Sequence, residues 1–579
     1  MRYCRIAVAA SLCVLPSFAQ LTQAQKIADF QTMTAQFAKR YAAAGWKRTL
    51  LGVDVFDTQA FVDRVKASKN DLDFYDICID YVAQFQDGGH VFFGVPSDFV
   101  ADLNIRVDTY DGKPLIYSIN RTVLPTGKYP FQIGDELISI DGQPAGDLMK
   151  SLRKYGIIST ARTGDGYAAQ ALTLRRQSAN PYAVNVPDSS VVVILRQFGG
   201  METYNIPWTK TGVPLLADGP VSSPQGFRSG LPKGPLLVET SPTGDTADSV
   251  LPEAQYGMVD PSRAVTGVGS LAPIFNLPAG FQIRLGRNSA TDAFVSGTYT
   301  AGGYTLGFIR IPSFSPGIGT ALALAQFDTE VRYFQANTDG LVVDDTRNPG
   351  GLIYYSGEIA RRLIPRAFHL PGFELRATTD WVRVYSSYKQ FEIAVEVAQY
   401  LVDYYDALLK DVKTAASENG GNTGPLPLDI LNFFPTPVSQ SLDQFALTDR
   451  LGNPTAYSKP ILILTDEFSF SSADYFAATM QDNKAATLFG MHTGGLGGTN
   501  ASYNAGAYSE ATVGMLRGLM VRKDPVSVDG FPTTSYVENI GVQPDIAEDY
   551  KTRDNLVNGG RTYVQHFTQA LVDLIQKKQ

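Results

Sequence analysis

The segment Leu464-Thr465-Asp466-Glu467-Phe468-Ser469-Phe470-Ser471-Ser472-Ala473-Asp474 runs from an apolar strand pattern into a helix pattern and puts a serine at the junction. A hydroxyl there lies at the positive end of a helix, where negative charge developing on an attacked carbonyl is stabilised. The same spacing, Ser471-x-x-Asp474, also fits a capping box, which needs no chemistry at all. A second segment, Asn348-Pro349-Gly350-Gly351, follows the apolar run Leu341-Val342-Val343, at the edge where parallel sheets form their ligand sites. Its glycines leave backbone N–H groups uncovered, to bind the oxyanion of a tetrahedral intermediate or simply to make a turn. A serine nucleophile needs a base, because its hydroxyl stays protonated at neutral pH. Four histidines are available. His90 stands between Asp87-Gly88-Gly89 and Val91, and His492 closes a core strand pattern near Ser471 in sequence. His369 lies in a proline-flanked loop and His566 in the terminal helix pattern. Glu538, in Val537-Glu538-Asn539-Ile540-Gly541-Val542-Gln543-Pro544-Asp545, is either a carboxylate able to steady an imidazole or a surface charge before a Gly-Val turn.

Together these segments resemble the tail-specific, or C-terminal processing, S41 serine peptidases. The family's aspartate, arginine, asparagine and paired-glycine motif corresponds to Asp345-Thr346-Arg347-Asn348-Pro349-Gly350-Gly351. Its serine motif corresponds to Ser471-Ser472-Ala473-Asp474-Tyr475-Phe476-Ala477, and Gln481-Asp482 and Gly490-x-x-Thr493-Gly494-Gly495 extend the match. One departure bears on mechanism. The bacterial C-terminal processing branch carries a base lysine beyond the serine, inside T-x-G-K-G, where this chain reads Thr493-Gly494-Gly495-Leu496-Gly497. Leu496 accepts no proton. The tricorn-like branch, and within it the chlamydial protease-like activity factor family, uses an N-terminal histidine and a C-terminal glutamate instead. Asp87 to Val91 is similar to its D-G-H-V stretch with one more glycine, and Glu538 to Asp545 matches its E-x-x-G-V-x-P-D stretch. The resemblance therefore implies Ser471 as nucleophile, His90 as base and Glu538 as the group orienting that base. The N–H of Ser472 and that of Gly350 or Gly351 would form the oxyanion hole. The implied activity is that of an exported serine endopeptidase acting through an acyl-enzyme on protein or peptide substrates. Members of the family mature by self-cleavage and form homodimers, so both are open for this chain. The competing expectation is a catalytically inactive peptide- or small-ligand-binding protein on the same scaffold.

The elements that must position these residues are legible as patterns. The stretches 21–69 and 72–85 are helical in composition, and Gly88-Gly89 ends the second before a strand beginning at Val91. Gly134-Asp135-Glu136-Leu137-Ile138-Ser139-Ile140-Asp141-Gly142, followed by a helical Ala145–Leu152, resembles a PDZ-like module, which binds an extended peptide as an added strand. Strand 304–311, the helix face Leu324, Phe327, Val331 and Phe334, and then Leu341-Val342-Val343 repeat later as Ile461-Leu462-Ile463-Leu464, the helix face Ala473, Phe476, Ala477 and Met480, and a strand over 486–491. Strand, helix and strand in that order demand a right-handed crossover in a largely parallel sheet.

The expected fold is thus multidomain α/β. A mixed, largely parallel catalytic core carries helices, with a β-rich PDZ-like module and a helical N-terminal region beside it. The chain divides into a signal peptide (1–19), an N-terminal helical region carrying His90 (20–101), the PDZ-like module (102–206), a Pro/Gly-rich linker or self-inhibitory, processing loop (207–273), and an S41-type core (274–579) with an insertion at about 366–446.

Composition closes off other classes. With 44% hydrophobic and 18% charged residues over 579 positions, the chain can build several cores and is not a disordered polymer. Arg2 and Arg5, the apolar run to Leu15 and Ser17-Phe18-Ala19 read as an export signal, which predicts a periplasmic or extracellular protein. Removal of that leader takes Cys4 and Cys13 and leaves Cys78 alone, so stability must come from burial and not from disulfides. A net charge of -8 without basic runs argues against nucleic acid as partner, and no later stretch is apolar enough to span a membrane. Gly494-Gly495-Leu496-Gly497-Gly498 lacks a phosphate-binding lysine, and no His/Cys set has metal-site spacing, so neither cofactor nor metal is expected.

Overall fold

The computed structural model describes residues 20–87, 91–217, 267–394, 399–418, 421–427 and 441–578. The proposed signal peptide, His90 with its two preceding glycines, and most of the 207–273 linker lie outside the described residues.

A seven-stranded sheet organises the C-terminal half. Its order is Gln282–Leu285, Val295–Ala301, Tyr304–Arg310, Gly340–Asp344, Ile461–Thr465, Thr487–Gly490, Ile546–Ala547. The first three strands are antiparallel neighbours, and every pairing from Tyr304–Arg310 onward is parallel. The sheet is therefore mixed and mainly parallel, as the strand, helix, strand pattern requires. Parallel strands covered on both faces lose the alternation of a half-exposed strand, which is why 341–343 and 461–464 read as continuous apolar runs. Leu341, Val343, Ile461 and Ile463 face Phe327 and Phe334 of the helix Thr320–Asn337 and Ala473, Phe476 and Met480 of the helix Ser472–Asp482. Val342, Leu462 and Leu464 face the opposite way, onto Phe567, Leu571 and Ile575 of the terminal helix Arg561–Lys578.

A second, all-antiparallel sheet joins remote parts of the chain. The long strand Thr512–Val526 pairs with Phe92–Gly94, Gly372–Leu375, Gly498–Asn504 and Thr534–Tyr536. Phe92 lies opposite Gly514, so the residues just after His90 are built into the C-terminal region. The 21–69 stretch, continuous in pattern, forms three helices, Gln23–Arg40, Ala44–Leu51 and Gln59–Ala67, before Asp71–Ala83. The second ends at Gly52, whose φ of 70° supplies the left-handed cap that stops a helix. Aromatic packing among Phe30, Phe37, Tyr81 and Phe85 welds the first and last of these helices together.

The PDZ-like portion is a six-stranded antiparallel sheet running Ile105–Tyr110, Lys113–Ile119, Glu136–Ile140, Ser189–Leu195, Met201–Pro207, with Gln143–Pro144 paired to Glu136–Ile140. The hairpin turn between its third strand and Gln143 uses Asp141 and Gly142, both at positive φ, which is what an Asp-Gly turn signals. In the insertion, two helices, Thr379–Ala394 and Gln399–Ser417, pack on each other, with Lys389 paired to Asp406.

Candidate active site

Ser471 sits where the loop from the strand Ile461–Thr465 enters the helix Ser472–Asp482. A capping serine ordinarily has extended backbone. Ser471 has φ 55° and ψ -109° instead, the sharp strand-to-helix turn that lifts a side chain clear of a sheet edge. Asp474 returns a bond to the serine's own amide, Ser471 N–H donating to Oδ2 at 2.7 Å.

The Asn348 to Gly351 loop lies directly against this turn. A Cβ on Gly350, which has φ 92°, would stand 2.5 Å from the Phe470 carbonyl oxygen and 2.8 Å from Ser471 Cβ. Only glycine permits that approach. Asn348 is the strut: its carbonyl accepts from Phe470 N–H at 2.8 Å, its Nδ2 donates to Ile311 O and Asp345 Oδ1, and its Oδ1 accepts from Gly350 N–H at 2.9 Å. The Gly350 amide is therefore already engaged, whereas those of Gly351 and Ser472 donate to no acceptor among the described residues. The hydroxyl of Ser472 donates to Gly351 O at 2.5 Å, tying the two segments together. Asp345 is wholly buried, and burial pushes its pKa well above the usual carboxylate range.

Glu538 is 0% exposed. Lys47 Nζ, equally buried, donates to its Oε1 at 2.6 Å and to Asn539 Oδ1 at 2.5 Å, with Asp87 Oδ2 at 3.9 Å. Oε2 of Glu538 has no hydrogen-bond partner among the described residues. Burial drives the Glu538 pKa upward and the Asp87 charge adds to this, while Lys47 opposes both. Asn539 Nδ2 donates to Gln86 O at 2.6 Å, and Val91 N–H donates to Asp87 O at 3.0 Å, so the described residues on either side of His90 are fastened beside Glu538. Between Glu538 and Ser471 runs the loop Thr493 to Gly497. Asn539 N–H donates to Gly495 O at 3.0 Å, and a Cβ on Gly497 would stand 2.9 Å from Glu538 N. Asp474 accepts from Thr493 Oγ1 and from Gly495 and Leu496 N–H on the loop's other side.

The three described histidines are otherwise occupied. His369 and His566 pair with the carboxylates of Asp443 and Glu548, each at 2.8 Å, and His492 Nδ1 meets the Thr493 carbonyl at 2.8 Å. Leu496, at the position of the missing lysine, is packed among Phe468, Phe470 and Ile157. Sequence patterns gave no sign of Lys47, a single lysine in a helix, nor of Asn348 as the loop's strut. Asp474 carried one signal, its capping spacing to Ser471.

A buried charge cluster supports the site from the PDZ-like side. Lys551 Nζ bridges Asp108 Oδ1 at 2.9 Å and Glu467 Oε1 at 2.8 Å. Arg162 Nε reaches Glu467 at 3.0 Å, and Arg347 lies 3.5 Å from both Asp108 and Asp466. Asp108 and Arg162 belong to the strand Ile105–Tyr110 and the helix Ala161–Ala171, whereas Arg347 and Glu467 belong to the two loops that meet at Ser471.

These segments fall within matches to known family models. Residues 305–548 match the model of peptidase family S41, and residues 100–214 match that of a PDZ domain. The S41 match takes in the Asn348 to Gly351 loop, Ser471 and Glu538. An uncharacterized protein of Chlamydia muridarum is 24% identical over 93% of this chain and 90% of its own length, and a protein of Chlamydia trachomatis is 23% identical with the same coverage. Mature CPAF, known from a crystal structure, superposes with a TM-score of 0.72 at 20% identity, over 96% of this chain and 98% of its own. Mature CPAF complexed with lactacystin gives a TM-score of 0.71, also at 20% identity, over 96% and 99%. At that identity the likeness establishes the shared fold.

Proposed function

We propose that this chain is a serine endopeptidase in which Ser471 attacks the peptide carbonyl, His90 takes the hydroxyl proton, and Glu538 orients the imidazole. The observation that carries the reading is the backbone of Ser471, a positive-φ serine at a strand-to-helix turn with the Gly350 backbone pressed against its Cβ. A strained turn of this kind serves to present a nucleophile. Ser472 and Gly351 N–H are placed next to it with no acceptor among the described residues, which suits a hole for the developing oxyanion. The open Oε2 of Glu538 supplies the acceptor that an imidazole N–H needs, and Val91, bonded to His90, is fixed nearby. Collapse of the tetrahedral intermediate passes the proton from His90 to the leaving amine. Water, deprotonated by the same imidazole, then releases the acyl group. The PDZ-like sheet would hold an extended stretch of the protein substrate.

The leader pattern supports export, and the stretch 207–273 is the candidate for self-cleavage. Intact mass before and after activity appears reads the second directly. The test of the main reading is a fluorophosphonate probe together with an unfolded protein substrate. Wild type is expected to label at Ser471 and to cleave internal bonds, and Ser471→Ala and His90→Ala to lose both; lactacystin, which mature CPAF holds in a solved complex, is expected to compete with the probe. A folded wild-type protein that neither labels nor cleaves would instead be a binding protein on this scaffold.

A further inference from the structure

We infer that Lys47 is a positioning residue of the active site, holding Glu538 by one oxygen so that the other is left to accept a hydrogen bond, an inference that rests on the triad proposed above. A lysine with no exposed surface is rare and needs a counter-charge. Lys47 meets two carboxylates: Glu538 through a 2.6 Å contact and Asp87 at 3.9 Å. Its third contact, 2.5 Å to Asn539 Oδ1, fixes the residue next to Glu538 in the chain. Trp46, one position earlier on the same helix, donates through Nε1 to the Glu538 carbonyl at 3.2 Å and to Asn539 Oδ1 at 3.3 Å. The helix Ala44–Leu51 thus grips both the backbone and the side chain of this turn, and Lys47 takes Oε1 alone.

The arrangement does two things that a glutamate in a dry site cannot do for itself. It selects a rotamer, because Oε1 is anchored and the carboxylate can offer only Oε2. It also favours the ionised form, which is the form that accepts from an imidazole. The groups facing Glu538 are Lys47, Asp87 from the segment after the helix Asp71–Ala83, and Asp474 from the helix Ser472–Asp482. Tyr41 stands behind Asp87, its hydroxyl donating to Asp87 Oδ2 at 2.7 Å. Lys47 is the only cation in that set, and both carboxylates beside it push Glu538 towards the neutral acid.

The sign of the effect follows. Glu538 works when ionised, so removing Lys47 raises the pH at which the site becomes competent. Lys47→Met keeps the chain's length and removes the charge. The variant is expected to label at Ser471 more slowly, to lose about tenfold or more in kcat with KM held within about twofold, and to carry its acid limb about one to three pH units higher. Restoring the local charge count with Lys47→Met/Asp87→Asn is expected to bring the limb part of the way back. A merely structural lysine would change the melting temperature and leave the limb in place.

If Lys47→Met does not fold, the double variant is compared with Asp87→Asn alone, and an acid limb displaced between those two supports the inference. Coincident limbs, or a folded Lys47→Met with wild-type kcat and limb, overturn it. Glu538→Gln separates this from the underlying reading: an inactive Glu538→Gln beside a fully active Lys47→Met leaves the triad standing and removes Lys47 from it. A fully active Glu538→Gln removes the triad assignment and the inference together. Activity surviving in His90→Ala but lost in Lys47→Met would make the lysine itself the base, and would overturn both.

Discussion

Asp474 gathers four donors on two oxygens. The Thr493 hydroxyl and Gly495 N–H, at 3.0 Å, meet Oδ1, and Ser471 and Leu496 N–H meet Oδ2 at 2.7 and 3.2 Å. Full burial raises its pKa to about 6, and these bonds only partly offset the rise. A carboxyl with a folded pKa above its unfolded value binds more protons when folded, so its contribution to stability improves as pH falls from about 6 towards 4. Asp474→Asn has no such linked proton. Wild type is therefore expected to gain about 2 kcal/mol relative to this variant between pH 7.5 and pH 4.5, read by urea unfolding at the two pH values. A gap between the two proteins that does not change with pH would contradict the assignment. Catalysis should respond in the opposite sense. An amide offers one acceptor oxygen where the carboxylate offers two, so the Ser471 turn loosens and kcat of Asp474→Asn falls while KM stays close to wild type.

The elements that converge on Ser471 are two strand-to-loop connections from adjacent parallel strands, and their contact depends on one missing Cβ. Gly350→Ala would place a methyl group against Phe470 O and Ser471 Cβ in a backbone region that alanine avoids. The strain costs about 1 to 3 kcal/mol. Displacement of the loop by a fraction of an ångström to an ångström is expected to lower kcat/KM by about 10²-fold. Gly452→Ala is the control: its φ is also positive, at 84°, but nothing lies within 4 Å of the added Cβ, so activity should hold. How much of this was legible in sequence depends on the range of each interaction. The strands 341–343 and 461–464 announced themselves because burial on both faces leaves only apolar residues, and Ala473, Phe476, Ala477 and Met480 marked the helix face by spacing alone. The pairing of Phe92 with Gly514 left no local mark, since a three-residue strand fits many partners. Nor did the ion pair between Lys47 and Glu538, 491 residues apart in the chain. The stretch 21–69 is helical in composition throughout, whereas the breaks between its helices are set by Gly52 and by the turn at 41–43.

On the scale of the whole molecule, the PDZ-like sheet and the catalytic sheet meet through charges and not through an apolar seam alone. Asp108 has no exposed surface and faces two cations, Lys551 at 2.9 Å and Arg347 at 3.5 Å, while Glu467 at 1% exposure takes Lys551 and Arg162. Both Lys551 and Arg347 also lie over the Phe468 ring, at 4.7 and 4.9 Å, so the cluster borders the loop that ends in Ser471. Full pairing is what makes such burial tolerable, and removal of one member leaves its partners desolvated and uncompensated. Asp108→Ala is expected to destabilise the protein by about 3 to 5 kcal/mol, with little dependence on salt because buried pairs are poorly screened. Arg347 begins the loop that Asn348 braces, so the same change should slow fluorophosphonate labelling of Ser471 although Asp108 touches no part of the proposed triad. Lys150→Ala, which removes an exposed pair with Asp147 on the same module, should move neither the melting temperature nor the labelling rate. Loss of stability without any change in labelling would mean that the charges merely glue two bodies together. Slower labelling in protein kept folded at low temperature would mean that the PDZ-like module is wired to the proposed nucleophile, so that a strand docked on that sheet could bias the geometry of Ser471.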